Sequence, residues 1–483
     1  MIKARTYKLP AGDIILFSLF FGAIGLIILG GFVNWSLGVS RLSRARLNSE
    51  KAFQLAEAGL NYYRWHLAHA PQDFQDGLSQ PGPYVHEFKD INGNLLGYFS
   101  LNITPPPVGS TLVTVDATGY TTLNSQQKRT LRGQFARPSL ARFAIVANSD
   151  IRFGAGTIVT GPLHSNGGIR FDGRAENLVT SAKSTYDDPD HTGGLEFGVH
   201  THLSPTDPLP PTAVPSRPDV FVVGRQFPVP TVDFDGLASD LATIKSQAIA
   251  DGLYLAASGY LGYRLVLKTN GQFDLYQIKI LQSPPSSWCY NSLNQTGWGT
   301  WSISSAPNAQ IFLGTYSYPN NGLIFLEDNV WLEGQISNQK LTIASARFPE
   351  NPNTNTSITV NNNLVYSNLN GNDILSLMAQ NNINVGLNSA DNLKIDAALV
   401  AKNGRIGRYY YGSSCGSSYV RQTLTLNGML ASSLRYGFAY TDSTGYQNRL
   451  INYDSNLLYN PPPSFPLTSD QYSLIDWQEI KPN

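Results

Sequence analysis

From Ile14 to Leu67 the chain runs without a proline, and this stretch constrains everything that follows it. Its first part, Ile14–Val33, carries no charge, and fourteen of its residues are Leu, Ile, Phe or Val. At about 1.5 Å of rise per residue, a helix of this length matches a hydrocarbon core of about 30 Å. At about −0.3 to −0.6 kcal/mol per large apolar residue, insertion gains roughly 4 to 8 kcal/mol, partly offset by Gly22, Gly25, Gly30 and Gly31. Asp13 favours a helix N-terminus just before the run. From Ser40 the stretch becomes two-faced. Phe53, Ala56, Leu60, Tyr63 and Leu67 recur in steps of three and four, and Glu50, Gln54, Glu57, Asn61 and Arg64 form a polar stripe at the same spacing. The spacing predicts one helix over 14–70, ended by Pro71, after a short basic N-terminus over 1–13. Its first half lies in a membrane. Its second half packs on the chain's own β structure or on a partner helix.

A cleaved secretory signal is the competing reading of the run. Its length, and the lack of a small-x-small site after it, favour a retained single-pass anchor with lipid as a partner. Lys3, Arg5 and Lys8 place the N-terminus inside, while Arg41, Arg44 and Arg46 pull the other way. The body decides. Charged residues make up 14% of the chain, against about 25% in ordinary soluble proteins. Such a turn-rich, weakly charged body suits an extracytoplasmic or cell-surface location. Lys+Arg and Asp+Glu both number 34, which removes the electrostatic case for a nucleic-acid partner.

The segment EKAFQLAEAGLNYY resembles the start of PilX-type minor pilins and related type IV pilin-like proteins. In these an AFxxAEA-like stretch marks the helix just beyond the membrane. The matching residues are Ala52, Phe53, Ala56, Glu57 and Ala58. The resemblance implies a structural role and partners among other pilin-like or export-apparatus subunits. Type IV prepilins are similar in having a Gly cleavage site and a Glu at the fifth mature residue. Counting from Gly12, Phe17 stands at that position, and no acidic residue lies between Ile14 and Ser49. The departure implies an uncleaved relative or a passenger of the same machinery. At the other end, YDSNLLYNPPPSFP (Tyr453–Pro466) and the W-x-E of Trp477–Glu479 resemble the end of an uncharacterised domain found behind pilin-like anchors.

Residues 84–137 read as a small pilin-like antiparallel β unit with a hairpin at Asn92-Gly93. Residues 140–202 and 305–483 share another texture, short apolar triplets separated by Gly and Asn. Seven Asn-Gly pairs occur in the chain, at Asn92, Asn166, Asn270, Asn321, Asn370, Asn403 and Asn427. Asn and Gly tolerate left-handed corners at least cost. This texture predicts a right-handed parallel β-helix in two parts; an antiparallel β-sandwich is the alternative, because Asn-Gly also signals hairpins. Residues 203–300 read as a Pro-rich linker with a helix and a hairpin around Asn270-Gly271, inserted between the two parts. The expected fold class is α+β, mainly β.

Chemistry is sparse. There is no P-loop, no GxSxG and no GxGxxG leading into a helix, and no cofactor is expected. Asp187, Asp188, Asp190 and His191 cluster in TYDDPDHTGG, where oxygen ligands could hold Ca²⁺; a solvated turn is the plainer reading. His200 and His202 can point the same way on a strand but lack a third ligand. Asp150, Asp172, Glu327, Asp328, Glu333, Asp391 and Asp396 are of the type that a glycoside-cleaving pair requires, and nothing singles out two of them. Tyr409–Tyr411 with Tyr419 could form a sugar-contacting surface. Cys289 and Cys415 are compatible with one disulfide or with two buried thiols. The function expected is that of a structural, non-enzymatic protein, with an adhesin or a polysaccharide-active enzyme as the other classes.

Overall fold

The computed structural model describes residues 11–106, 111–289, 302–469 and 471–481. Lys3, Arg5 and Lys8 lie outside them. The chain divides into two compact units. The first comprises residues 1–105, 113–135 and 474–483; the second comprises 106–112 and 136–473.

The first unit is built on one helix, α1 (Ala11–His69). Along its apolar run the side chains face outward, with Leu19, Leu26 and Ile27 exposed by 67, 73 and 74%. This is the one helix among the described residues that is long and apolar enough to cross a membrane. Farther along, Ala52, Leu55, Ala56, Leu60, Tyr63 and Leu67 are buried. Glu50, Gln54, Glu57, Asn61 and Arg64 are exposed, so the polar stripe faces away from the protein. Phe53 is half-buried beside them.

The buried stripe packs on an antiparallel sheet of β1 (Tyr84–Lys89), β2 (Leu95–Thr104), β3 (Val113–Thr121) and β4 (Asn124–Ala136). The β1–β2 turn is the Asn92-Gly93 pair, with Gly93 at φ 85°. In β3, Val113, Val115 and Ala117 alternate inward and are fully buried, as a half-solvated strand requires. Small residues let helix and sheet come close. A Cβ on Gly119 would stand 2.1 Å from the Ala52 carbonyl oxygen and 2.4 Å from the Ala56 nitrogen. Ala52 and Ala56 are two of the residues that carry the pilin resemblance, and here their smallness has a packing reason.

A fifth strand, Ser473–Ile480, lies beside β4. Glu479 accepts two bonds of 2.6 Å from the Arg129 guanidinium, which also sits 4.6 Å from the Phe53 ring. By sequence position alone these residues belong to the tail of the last β part. Unpaired backbone groups at the free edge of β4 explain the return, because a fifth strand satisfies them.

The second unit is dominated by parallel pairing. One column runs in register through Ile324, Ile343, Leu377, Leu399, Leu430, Ile145, Leu163 and Val179. Another joins Leu364, Ile395, Leu426, Ile451, Val159 and Ala175. A third joins Val330, Ile358, Ile383 and Ile406. All of these residues are buried, and they belong to one core. At one corner Asn427 donates to Asp396 at 2.7 Å and Asn452 donates to Asn427 at 2.8 Å, so side-chain amides form a short ladder of their own.

The order of stacking differs from the order of the chain. Leu430 pairs with Ile145, so the segment that begins the unit sits against strand Val420–Ser432 near its end. From there the chain proceeds to Arg225–Gln226, which pairs with Val179–Ser181. It re-enters at Leu253–Leu255, which pairs with Leu323–Leu326. The connection includes the Pro-rich segment and α2 (Leu237–Asp251). Leu241, Ile244 and Ala248 of α2 share a second core with Val146, Phe325, Ala344, Met378 and Val400, which face away from the first core. The composition of 203–300 suggests a Pro-rich linker with an inserted helix and hairpin. Its hairpin does turn at Gly271, with φ 81°, but its first strand, Gly262–Leu267, also pairs in parallel with Val330–Ile336. Asn427-Gly428, by contrast, lies within one strand rather than at a hairpin.

Candidate functional site

The densest group of metal-ligating side chains lies on a three-stranded parallel ladder, Ile151–Phe153, Ile169–Phe171 and Val199–His200. Ile151, Ile169 and Val199 face the core. The alternate positions, Arg152, Arg170 and His200, stack in register on the other face. His202, two residues on, places its ring 5.0 Å from that of His200. A second element approaches this face. Thr185–Tyr186 and Glu196–Phe197 pair antiparallel, and the loop between them carries Asp188 and His191.

Two triads result, Asp188–His200–His202 and His191–Glu196–His202; within each, the ligand atoms lie within 4.8 Å of one another. Glu196 Oε1 stands 3.1 Å from His191 Nδ1 and 3.4 Å from His202 Nε2. Asp188 Oδ2 stands 3.6 Å from His200 Nε2, just beyond hydrogen-bond reach. His200 is fully buried, and among the described residues both its ring nitrogens lack a hydrogen-bond partner, as does His202 Nε2. Three of the seven histidines of the chain are gathered here.

Electrostatics separate the two carboxylates. Burial works to raise the Asp188 pKa, yet His200 and the Arg170 guanidinium overcome it and hold the group well below the usual carboxylate range. Arg170 also binds Asp172 at 2.7 Å. Among the described residues no arginine or lysine forms an ion pair with Glu196, although Glu196 is only 2% exposed. Burial, helped by the Arg170 and His200 charges, lowers the His202 pKa and favours the neutral ring.

The residues singled out in the sequence divide among different partners. Asp187 is exposed. Asp190 binds Arg435 at 2.6 Å, while Asp188 and His191 belong to the two different triads. Glu196 was missed because a single carboxylate in a Gly-flanked segment carries no spacing signal. The carboxylates considered for glycan cleavage are all engaged. Glu327 accepts from Tyr254 at 2.7 Å, Asp328 from Ser258 and Arg347, Glu333 from Arg264, and Asp396 from the Tyr366 amide. Asp150 accepts from the Gly168 amide, Asp172 from Arg170, and Asp391 lies 3.8 Å from Arg421.

Cys289 and Cys415 are bonded and buried with Leu387, Tyr409 and Tyr411. The two tyrosines are at most 2% exposed, so they present no sugar-stacking surface. Beneath them Arg408 is fully buried. It donates to the carbonyls of Leu387, Ser418 and Tyr419, and burial lowers its pKa to about 10.

Comparison with known proteins gives limited similarity. No family model matches the chain, and no curated protein matches it. Among solved structures, the chain is similar to the competence-associated pilin ComZ from Thermus thermophilus, at a TM-score of 0.30 and 14% identity, over 90% of this chain and 97% of that one.

Proposed function

We propose that the chain is a pilin-like structural protein, anchored in a membrane with its N-terminus inside and its body extracytoplasmic. In this reading it is a minor-pilin or pseudopilin-type component of a surface filament or an export apparatus. The parallel ladders of the second unit are read as a β-helix displayed by the anchored unit. The observation that carries the proposal is α1. One continuous helix has an exposed apolar half of membrane-spanning length and a second half buried on an antiparallel sheet. The Cys289–Cys415 bond supports an oxidising compartment for the body.

Cell fractionation with filament shearing tests the proposal. The protein is expected in the membrane fraction and among sheared filaments, and deletion of Ile14–Val33 should abolish both. A protein that remains soluble, or that never accompanies filaments in filament-rich cells, overturns it. N-terminal sequencing of the membrane form separates an intact Met1 from a start at Asp13 after processing at Gly12.

A further inference from the structure

The cluster on the Val199–His200 ladder is built from donors that do not satisfy one another. Glu196 is buried, and its nearest cationic candidates are two imidazoles. A carboxylate so buried calls for a positive partner. His200 and His202 bury ring nitrogens that make no hydrogen bond among the described residues, so these polar atoms lose their solvation without compensation. A single cation removes the deficits at Glu196 and His202 together. The separations suit it. Bonds of about 2.0–2.1 Å in tetrahedral geometry place ligand atoms about 3.3–3.4 Å apart. Glu196 Oε1 to His191 Nδ1 and to His202 Nε2 measure 3.1 and 3.4 Å.

The donor types select the ion. Imidazole nitrogens with one carboxylate suit Zn²⁺ and its first-row neighbours, whereas Ca²⁺ takes oxygen ligands throughout. We propose that the protein binds one first-row transition-metal dication, with Zn²⁺ as the reference ion, through Glu196, His202 and His191. These three form one triad, whereas His200 falls in the other, with Asp188 and His202. Asp188 lies next to His200, 3.6 Å from its Nε2.

The ion would tie two elements together. His202 follows the ladder strand Val199–His200 directly, and His191 and Glu196 belong to the antiparallel hairpin beside it. The site is therefore a staple within the second unit. The inference rests on this geometry alone and stands whether or not the protein joins a filament.

The test uses the full-length protein in detergent, stripped with EDTA and titrated with Zn²⁺ against a chromophoric chelator. One equivalent should bind, and Co²⁺ in its place should give the intense visible absorption of a tetrahedral nitrogen–oxygen site. His202→Ala and Glu196→Gln should weaken binding by at least about tenfold. His191 is 40% exposed on its loop, so His191→Ala should keep the fold, weaken binding and abolish the Zn²⁺-dependent rise in melting temperature. His69→Ala, at the exposed end of α1, should leave both unchanged. Absence of stoichiometric binding to the stripped wild type overturns the inference. So does equal binding by wild type and His191→Ala.

Discussion

Ile145 faces Leu430 in register, so a strand that opens the second unit is stacked on one that forms near its close. Both residues belong to a single apolar column whose members come from both sides of the long connection containing α2. Stability of this unit therefore depends on the column as a whole.

Leu377 lies inside that column, paired with Ile343 on one side and Leu399 on the other. Leu377→Ala should destabilise the unit by about 2–5 kcal/mol through lost burial and the cavity left behind. Ile158 is 38% exposed, and Ile158→Ala should cost far less. Urea melts of the two variants make the comparison. Equal losses would show that the column is not the organising core.

The close approach at Gly119 makes a sharper demand. Gly119→Ala places a methyl group against backbone atoms of Ala52 and Ala56, neither of which can rotate away. It should cost about 1–3 kcal/mol of overpacking. Gly38, with open space around it, should accept alanine without loss. Thermal unfolding of the detergent-solubilised protein decides; an unchanged Gly119→Ala would mean that helix and sheet are not this close.

Acid should loosen the contact between α2 and the ladder. Burial works to raise the Glu327 pKa, but Lys245 and Tyr254 overcome it and hold the group below its ordinary value of 4.5. The folded value is thus the lower of the two. The stabilisation is complete above the unfolded-state value and is lost as pH falls through the folded one. Stability measured from neutral pH downward should be flat at first and then decline below about 4.5. Glu327→Gln should show a shallower decline, and an identical acid profile would exclude this pair as a contributor.

Reduction gives a fourth outcome. The bond between Cys289 and Cys415 closes a long loop, and its removal should cost about 2–4 kcal/mol. Unreduced protein, denatured and treated with a thiol-alkylating reagent, should gain no label by intact mass. Two labels would show free thiols.

What could be read directly from residues was whatever depends on local spacing. The stem helix was legible because its period is continuous: Leu60, Tyr63 and Leu67 turn inward, and Glu57 and Asn61 turn outward, at the positions that the spacing predicts. The Asn92-Gly93 and Asn270-Gly271 turns were legible because hairpin chemistry is encoded within two residues. The pairing of Ile145 with Leu430 was not, since a short apolar triplet fits many neighbours equally well. Glu479 beside Arg129 was hidden for the same reason: a strand that returns to an edge carries no mark of its destination. At the metal-ligating cluster, the alternation of His200 and His202 was visible, but their partners arrive on a separate hairpin.

The discontinuous order of stacking bears on how such a chain folds as it is made. A polypeptide threaded N-terminus first delivers Ile145–Ala147 long before Val420–Ser432 emerges. Until then one edge of the early strands is an open template for any passing backbone. The unit cannot zip up progressively from one pole. It waits for its latest strands, and the high sequence separation of that closing contact slows its completion. A tether holding the emerging chain in place limits encounters with other chains during that wait, and a helix anchored in lipid, as proposed for α1, would be such a tether.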